Sequence, residues 1–338
     1  MFSNFEKIFA LFFLTLLIYF LHKSIFRLNR VKFEPHQKYS NNFIGIPVGG
    51  FSIFFFSIFY QLFSNYSDLF FLFLIFLIGV LSDYKIFNSP SKRLIVQILI
   101  VLAYVVSADL QILSTRIELL DDFLKNNMIN IIFTSFCILI VINGSNFIDG
   151  LNGLVIGYYS IIIFVLLNSD LNLILDKSVF INFLFLLTIL IIFNFLNKVF
   201  LGDNGSYLLG FIFSVYLIKI YYLNPYISPY FIILLLWYPC IENLFSIIRK
   251  KINNFNATNP DNNHLHQLIF FYLSKKLKNN SKIENNNLTS LIINVYHLPI
   301  FLFALKFIDK TSIQIILITI NIFLYILLYS ILLKLKKI

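Results

Sequence analysis

Long runs of Leu, Ile, Phe and Val alternate with short polar breaks along the whole chain. A helix that crosses a bilayer needs about 20 mostly apolar residues, with about 17 to 25 the usual range. Eleven runs meet that description, centred on residues 6–24, 47–63, 67–82, 94–110, 128–145, 152–168, 179–197, 206–223, 229–248, 289–307 and 313–333. The second and third are short or polar-edged, as tilted, fused or partly re-entrant segments are. Lys23, Arg27 and Arg30 follow the first run directly, with no small-residue cleavage pattern, so a retained span is expected there. The pattern predicts an all-α integral membrane protein, a single polytopic domain over residues 1–338 with about eleven transmembrane helices. The sizeable polar stretch, residues 249–288, is rich in Asn and Lys, and its part from Lys275 to Asn287 reads as a mobile loop of biased composition.

Composition strengthens this. The chain is 59% hydrophobic and 12% charged, with a mean hydropathy of +0.84, against about 25% charged residues in an average soluble domain. A net charge of +10 would suit nucleic acid, but the basic residues cluster at the ends of apolar runs, where lipid headgroups and topology explain them, and nucleic acid is not an expected partner. Cys137 and Cys240 lie inside apolar runs, which excludes a disulfide framework or a Cys-based zinc site. Most of the 26 Lys and Arg fall in loops after odd-numbered runs or in the C-terminal tail. Short loops rich in these residues stay in the cytoplasm, so the N-terminus is expected outside and the C-terminus in the cytoplasm.

Five polar signatures break the apolar pattern, and each follows an odd-numbered run. They are Pro47-Val48-Gly49-Gly50, Gly79-Val80-Leu81-Ser82-Asp83, the stretch from Asn146 to Gly153, the stretch from Lys198 to Ser206, and the stretch from Pro260 to His266. All five are therefore expected on the cytoplasmic face. Gly202 and Gly205 flank Asp203, so the backbone there can turn tightly and approach a ligand. Asp83, Asp149 and Asp203 are carboxylates at helix ends, where an unpaired buried charge needs a cation or a hydrogen-bond partner. Taken singly, each reads equally well as a solvated helix-end carboxylate. Converging, they suit Mg²⁺, which is held by one or two carboxylates together with water and substrate phosphates. His264 and His266, two residues apart and lacking a third ligand, are a poor zinc site but can meet a phosphate or a departing group. Lys92, Arg93, Arg249, Lys250 and Lys251 can bind lipid headgroups or nucleotide phosphates.

In this order, the five motifs resemble the polyprenyl-phosphate N-acetylhexosamine-1-phosphate transferases, glycosyltransferase family 4, over roughly residues 36–270. Pro260-Asp261 followed by His264-Leu265-His266-Gln267 is closer to the sugar-transferring branch, such as the undecaprenyl-phosphate GlcNAc-1-phosphate transferases, than to the pentapeptide branch. The resemblance implies cytoplasmic active-site loops in a bacterial cytoplasmic (inner) membrane, and transfer of an N-acetylhexosamine-1-phosphate from a UDP-sugar to polyprenyl phosphate with release of UMP, at the start of a cell-surface glycan. It implies Mg²⁺, with Mn²⁺ as the alternative metal, and it admits a homodimer. By motif, Asp203 and Asp83 would hold the metal. Asn146, Asp149, Phe200 and Gly202 would bind the nucleotide, Phe200 by stacking on uracil. Asp83, Asp149, His264 and His266 would be the catalytic positions. The chain departs from the family pattern at Ser82 and Asn152, where Asp is usual. Two other classes stay open: a non-catalytic relative that binds a UDP-sugar, and a secondary transporter with acidic ion sites.

Overall fold

The computed structural model describes residues 47–62, 65–169, 176–254 and 263–337. The first apolar run, at 6–24, lies outside the described residues. Among those described, the fold is all-α, with no strand. In chain order the helices are α1 Gly49–Phe59, α2 Tyr66–Asp83, α3 Pro90–Ser107, α4 Glu118–Leu124, α5 Asn127–Ile148, α6 Leu154–Leu167 and α7 Lys177–Phe195. Then follow α8 Gly202–Leu223, α9 Pro229–Leu235, α10 Trp237–Ile252, α11 Leu265–Lys276, α12 Lys282–Lys306 and α13 Thr311–Lys337. Seven of them are long and apolar enough to cross a membrane, or eight if α9 and α10 form one bent span. Two further expected spans are the shorter apolar helices α1 and α6. The described residues thus support an integral membrane protein without fixing the expected number of eleven.

Polar residues in the breaks start the helices. Ser89 and Ser228 cap α3 and α9, each followed by a Pro whose missing N–H costs nothing in the first turn. Asn126 and Asp176 accept first-turn amides of α5 and α7. At α12, the Ser281 hydroxyl accepts the Glu284 N–H at 3.2 Å while Glu284 accepts the Ser281 N–H at 2.7 Å. This cap corrects the reading of Lys275 to Asn287 as a mobile loop. Lys275 and Lys276 end α11, and α12 starts seven residues ahead of the run at 289, with Asn285 and Asn286 each 2% exposed.

The bundle is built around α8. Its apolar window is 83% buried within the protein, against 17–44% for the other long helices. Helices α1, α2 and α5 pack directly on it, and α10 packs on the far side of α5. Small residues allow this closeness: a side chain at Gly210 would meet the Ile142 backbone at 2.7 Å. At the end of α8 remote from Gly202, Lys219 pairs at 2.8 Å with Asp68, which is almost wholly buried. Arg116 ties three loops together by donating to the carbonyls of Asp309, Tyr226 and Ile227 and to the Thr311 hydroxyl, at 2.6–3.1 Å.

The ninth expected span is broken, with α9 and α10 meeting at 73°. Pro239 has no N–H to give to the carbonyl four residues back, that of Leu235. The Tyr158 hydroxyl from α6 donates to that carbonyl instead, at 2.8 Å. The bend thus keeps its hydrogen bonding without a ligand, and it turns α10 toward the polar end of the bundle.

Candidate functional site

The start of α8 is where four of the signatures meet; Pro260 to Asn262 of the fifth lie outside the described residues. Gly202 has φ +72°, a left-handed conformation that favours glycine, and this lets the chain turn from Phe200 into the helix. The Asp83 carboxylate, at the end of α2, accepts the N–H groups of Asp203 at 2.8 Å and Asn204 at 3.0 Å, and also bonds the Asn204 side-chain amide. It satisfies the free amides of the first turn of α8 from a neighbouring helix, as an N-cap residue does locally. Pro47 accepts from the Asn204 amide at 3.1 Å, and the Gly49 N–H donates to the Phe200 carbonyl at 3.0 Å. A Cβ at Gly79 would sit 2.6 Å from the Asn204 nitrogen, so bare backbone is needed where α2 crosses α8. The Pro47-to-Gly50 signature and Gly79 therefore clamp the loop that carries Asp203.

Asp203 is held from three sides. Its Oδ1 accepts the Asn146 amide at 2.7 Å, and its Oδ2 accepts Arg93 at 2.7 Å and the Ser82 hydroxyl, which also bonds Arg93. Side-chain exposures of 28% for Asp203 and 21% for Arg93 place this ion pair at the rim of the protein interior. Arg93 reaches it from the first turn of α3, one residue after Lys92. Asn146 also donates to the Ser206 hydroxyl at 3.2 Å, fastening the end of α5 to α8.

Asp149 follows the last residue of α5. It is half-buried, and its carboxylate takes no hydrogen bond from the described residues. Burial, and then the negative charges of Asp203 and Asp83, push its carboxyl well above the usual carboxylate range. It lines a pocket with Gly150, Leu151, Asn152, Phe200, Leu201 and Gly202, closed by Asn194 of α7 and Asn286 of α12. The turn from Gly150 to Gly153 is held by amides. The Asn152 N–H donates to Asn286 at 2.7 Å, and the Asn152 side chain donates to Asn197 at 2.7 Å and to Asn287 at 3.0 Å. Asn194 accepts the Gly153 N–H and donates to the Val199 carbonyl at 2.8 Å.

His264 and His266 sit at the start of α11, and both are buried. The two rings stack with centroids 5.6 Å apart at 15°, and His264 lies 5.5 Å from the Phe147 ring. His266 packs on Gly150, where a Cβ would meet its Nε2 at 2.6 Å. Burial holds its pKa down at about 3, so it is neutral, and neither ring nitrogen has a hydrogen-bond partner. Lys250 lies over the other signature ring, Phe147, at 5.9 Å.

All the expected site residues thus come together at one end of the bundle. Asp83, Asn146, Gly202 and Asp203 share direct contacts, while Asp149 and Phe200 line the adjoining pocket. His266 packs on Gly150 of that pocket's lining, and His264 rests on Phe147 beside it. Sequence reasoning missed Asn194, Asn286 and Glu242, the last of which holds His264 Nδ1 at 2.9 Å. The triple Asn285-Asn286-Asn287 behind a capping box was the available signal for two of these contacts.

Among the described residues, no three His, Cys, Asp or Glu side chains could hold a metal unaided. Asp203 is ion-paired with Arg93 and Asp83 is taken up by helix amides, however, while Asp149 is uncommitted, so the donor set fits a divalent cation that completes its shell with water and phosphate.

Residues 66–221 match the model described as Glycosyl transferase family 4. The chain is also 29% identical over 217 residues to the "Probable undecaprenyl-phosphate N-acetylglucosaminyl 1-phosphate transferase" of Bacillus subtilis (strain 168). That match covers 61% of this chain and 58% of the Bacillus protein, so it spans less than two thirds of the relative's length. The family match contains Asp83, the turn from Asn146 to Gly153 and the start of α8 with Asp203, so the chain is similar to glycosyl transferase family 4 over the residues that build the site.

Proposed function

We propose that this protein transfers an N-acetylhexosamine-1-phosphate from a UDP-sugar to a polyprenyl phosphate, undecaprenyl phosphate in bacteria, as the first step of a cell-surface glycan. An oxygen of the lipid phosphate attacks the β-phosphorus, the bond from that phosphorus to the bridging oxygen breaks, and UMP leaves with the bridging oxygen. The name of the Bacillus relative supports this chemistry. The observation that carries it is the meeting of Asp83, Asp149 and Asp203 beside a pocket walled by Phe200.

Asp203 would hold Mg²⁺ together with Asp149 rather than with Asp83, the expected second ligand, whose carboxylate is engaged by the α8 amides; the metal would supply charge neutralisation on the diphosphate. Asp83 fixes the helix start that presents Asp203, and Asn146 sets the orientation of its carboxylate. Phe200 offers a flat face to the base. Arg93 stands beside Asp203 with a guanidinium whose planar fork suits phosphate oxygens. A phosphate monoester is already largely ionised near pH 7, so no strong base is required, and positioning with charge stabilisation provides the rate. Lys92, Arg93, Lys198, Arg249 and Lys250 lie in or next to the elements that form the site. That distribution supports a cytoplasmic site in the inner membrane, where two polyanionic substrates meet.

The test uses membranes containing the full chain, a panel of UDP-N-acetylhexosamines and undecaprenyl phosphate, with UMP release and transfer of label to lipid as readouts. Asp203→Ala is expected to lose both by at least about a hundredfold. Full activity in that variant refutes the scheme. Nucleotide binding without turnover in the unaltered protein would identify a non-catalytic relative instead.

A further inference from the structure

Resting on the transfer reaction proposed above, we propose that Glu242 is a positioning residue that sets His264 and His266 against the turn carrying Asp149. Glu242 sits on α10 just past the 73° bend and is 0% exposed. Its Oε1 lies 2.9 Å from His264 Nδ1 and accepts the Leu265 N–H at 3.3 Å. A carboxylate oxygen facing a ring nitrogen at this distance requires Nδ1 to carry the proton. One oxygen therefore fixes the ring's orientation, its tautomer and the first amide of α11. The contacts continue without a break: the His264 ring stacks on His266 and leans on Phe147, and His266 packs on Gly150, next to Asp149.

A purely structural role explains this arrangement less well. The start of α11 already has its own brace, since Gln267 accepts the His264 N–H at 3.2 Å. The second Glu242 oxygen is buried as well, facing the Tyr238 and Tyr325 side chains. Burying a carboxylate in this way is costly, and a glutamine of the same shape would accept the same two hydrogen bonds at less cost. A carboxylate gains over glutamine by holding an imidazole that meets negative charge on its other side. The chemistry that calls for such a pair is a phosphate oxygen of the nucleotide diphosphate, which would lie in the pocket beside the Asp149 turn. His266, neutral and with both nitrogens unpartnered, is the second group that Glu242 thereby aims.

The experiment compares Glu242→Gln, His264→Gln and their double variant, with Glu242→Ala as the variant that loses the hydrogen bonds, each as the full chain in lipid nanodiscs. Steady-state transfer and hydrogen exchange over residues 263–276 are measured together. Glu242→Gln is expected to lower kcat by at least about tenfold while KM for the UDP-sugar stays within about twofold. The double variant should be no worse than the weaker single one, because both act through one unit. Exchange over 263–276 should stay within about twofold of the parent in Glu242→Gln, which keeps both hydrogen bonds, and should quicken in Glu242→Ala, which loses them, while α5 and α8 exchange as before. A kcat within about twofold of the parent, or losses that multiply in the double variant, overturns the positioning role. If the parent transfers nothing from any donor, the transfer reading fails by itself. The exchange readout then still decides the docking role, which unchanged exchange over 263–276 in Glu242→Ala would overturn.

Discussion

Asn152 stands where the family pattern usually has Asp, and restoring that Asp tests whether the amide network has taken over the position. The Asn152 side-chain N–H groups donate to Asn197 at 2.7 Å and Asn287 at 3.0 Å, at a residue 5% exposed. Asn152→Asp removes both donors, at about 0.5–1.5 kcal/mol each. It also aims a carboxylate at two amide oxygens. Rotating the Asn197 and Asn287 amides would supply new donors, but Asn287 would then give up its bond to the Phe195 carbonyl at 3.0 Å, about another 1 kcal/mol. The sum is a loss of about 2–4 kcal/mol, or roughly 4–16 °C in Tm at the scaling of a 150–250-residue domain.

Thermal unfolding of the detergent-purified full chain measures this, with Asn152→Ala as the companion that loses the bonds without gaining a charge. At pH 7.5 Asn152→Asp should be the less stable of the two. The gap should close toward pH 5, because a buried carboxyl with a raised pKa is then protonated and can donate one hydrogen bond. If Asn152→Asp is as stable as the parent at pH 7.5, the amide network does not define this position and the reasoning is wrong.

Asp83→Ala should cost about 1–2 kcal/mol, as loss of a helix N-cap does, and should also abolish transfer by releasing Asp203; a variant that unfolds like the parent and turns over would refute the capping role. Because the Asp149 carboxyl is raised, the folded chain binds an extra proton there. Its stability without metal should therefore fall as pH rises from about 4, the ordinary carboxylate range, through Asp149's own higher value. Mg²⁺ should then raise Tm more at pH 8 than at pH 5.5, and equal shifts at both would exclude Asp149 as a ligand. Arg116→Ala removes four hydrogen bonds from the loops remote from the site, and should lower Tm by several degrees while leaving kcat within about twofold, a combination read from one preparation.

Membrane class and the convergence of the signatures were legible because both rest on one-dimensional pattern: run length sets the spans, and loop parity sets which breaks share an end. The amide zipper was not legible. Asn285, Asn286 and Asn287 have the composition of a solvated linker, and only the fold shows that they receive the backbone and side chain of Asn152. Glu242 was hidden for a related reason, since a lone acid within an apolar run gives no sign that its partner lies 22 residues away. The bend at Leu236 was half visible. Pro239 marks the missing donor, but the Tyr158 hydroxyl that replaces it comes from another helix.

The two departures from the family pattern become intelligible as one change in charge. With Asp at both positions, five carboxylates would surround a region that contains the guanidinium of Arg93. Here Ser82 donates to Asp203 and also bonds Arg93, so the guanidinium is shared by an alcohol and one carboxylate rather than divided between two anions. Asn152 is turned away into amide contacts and makes no demand on a cation. Asp83 is neutralised by helix amides, and Asp203 by Arg93 and Asn146. What remains unpaired is Asp149, beside the pocket where the diphosphate would lie. A site reduced in this way needs less positive charge to assemble, and a divalent cation placed there would have to draw more of its shell from water and bound phosphate.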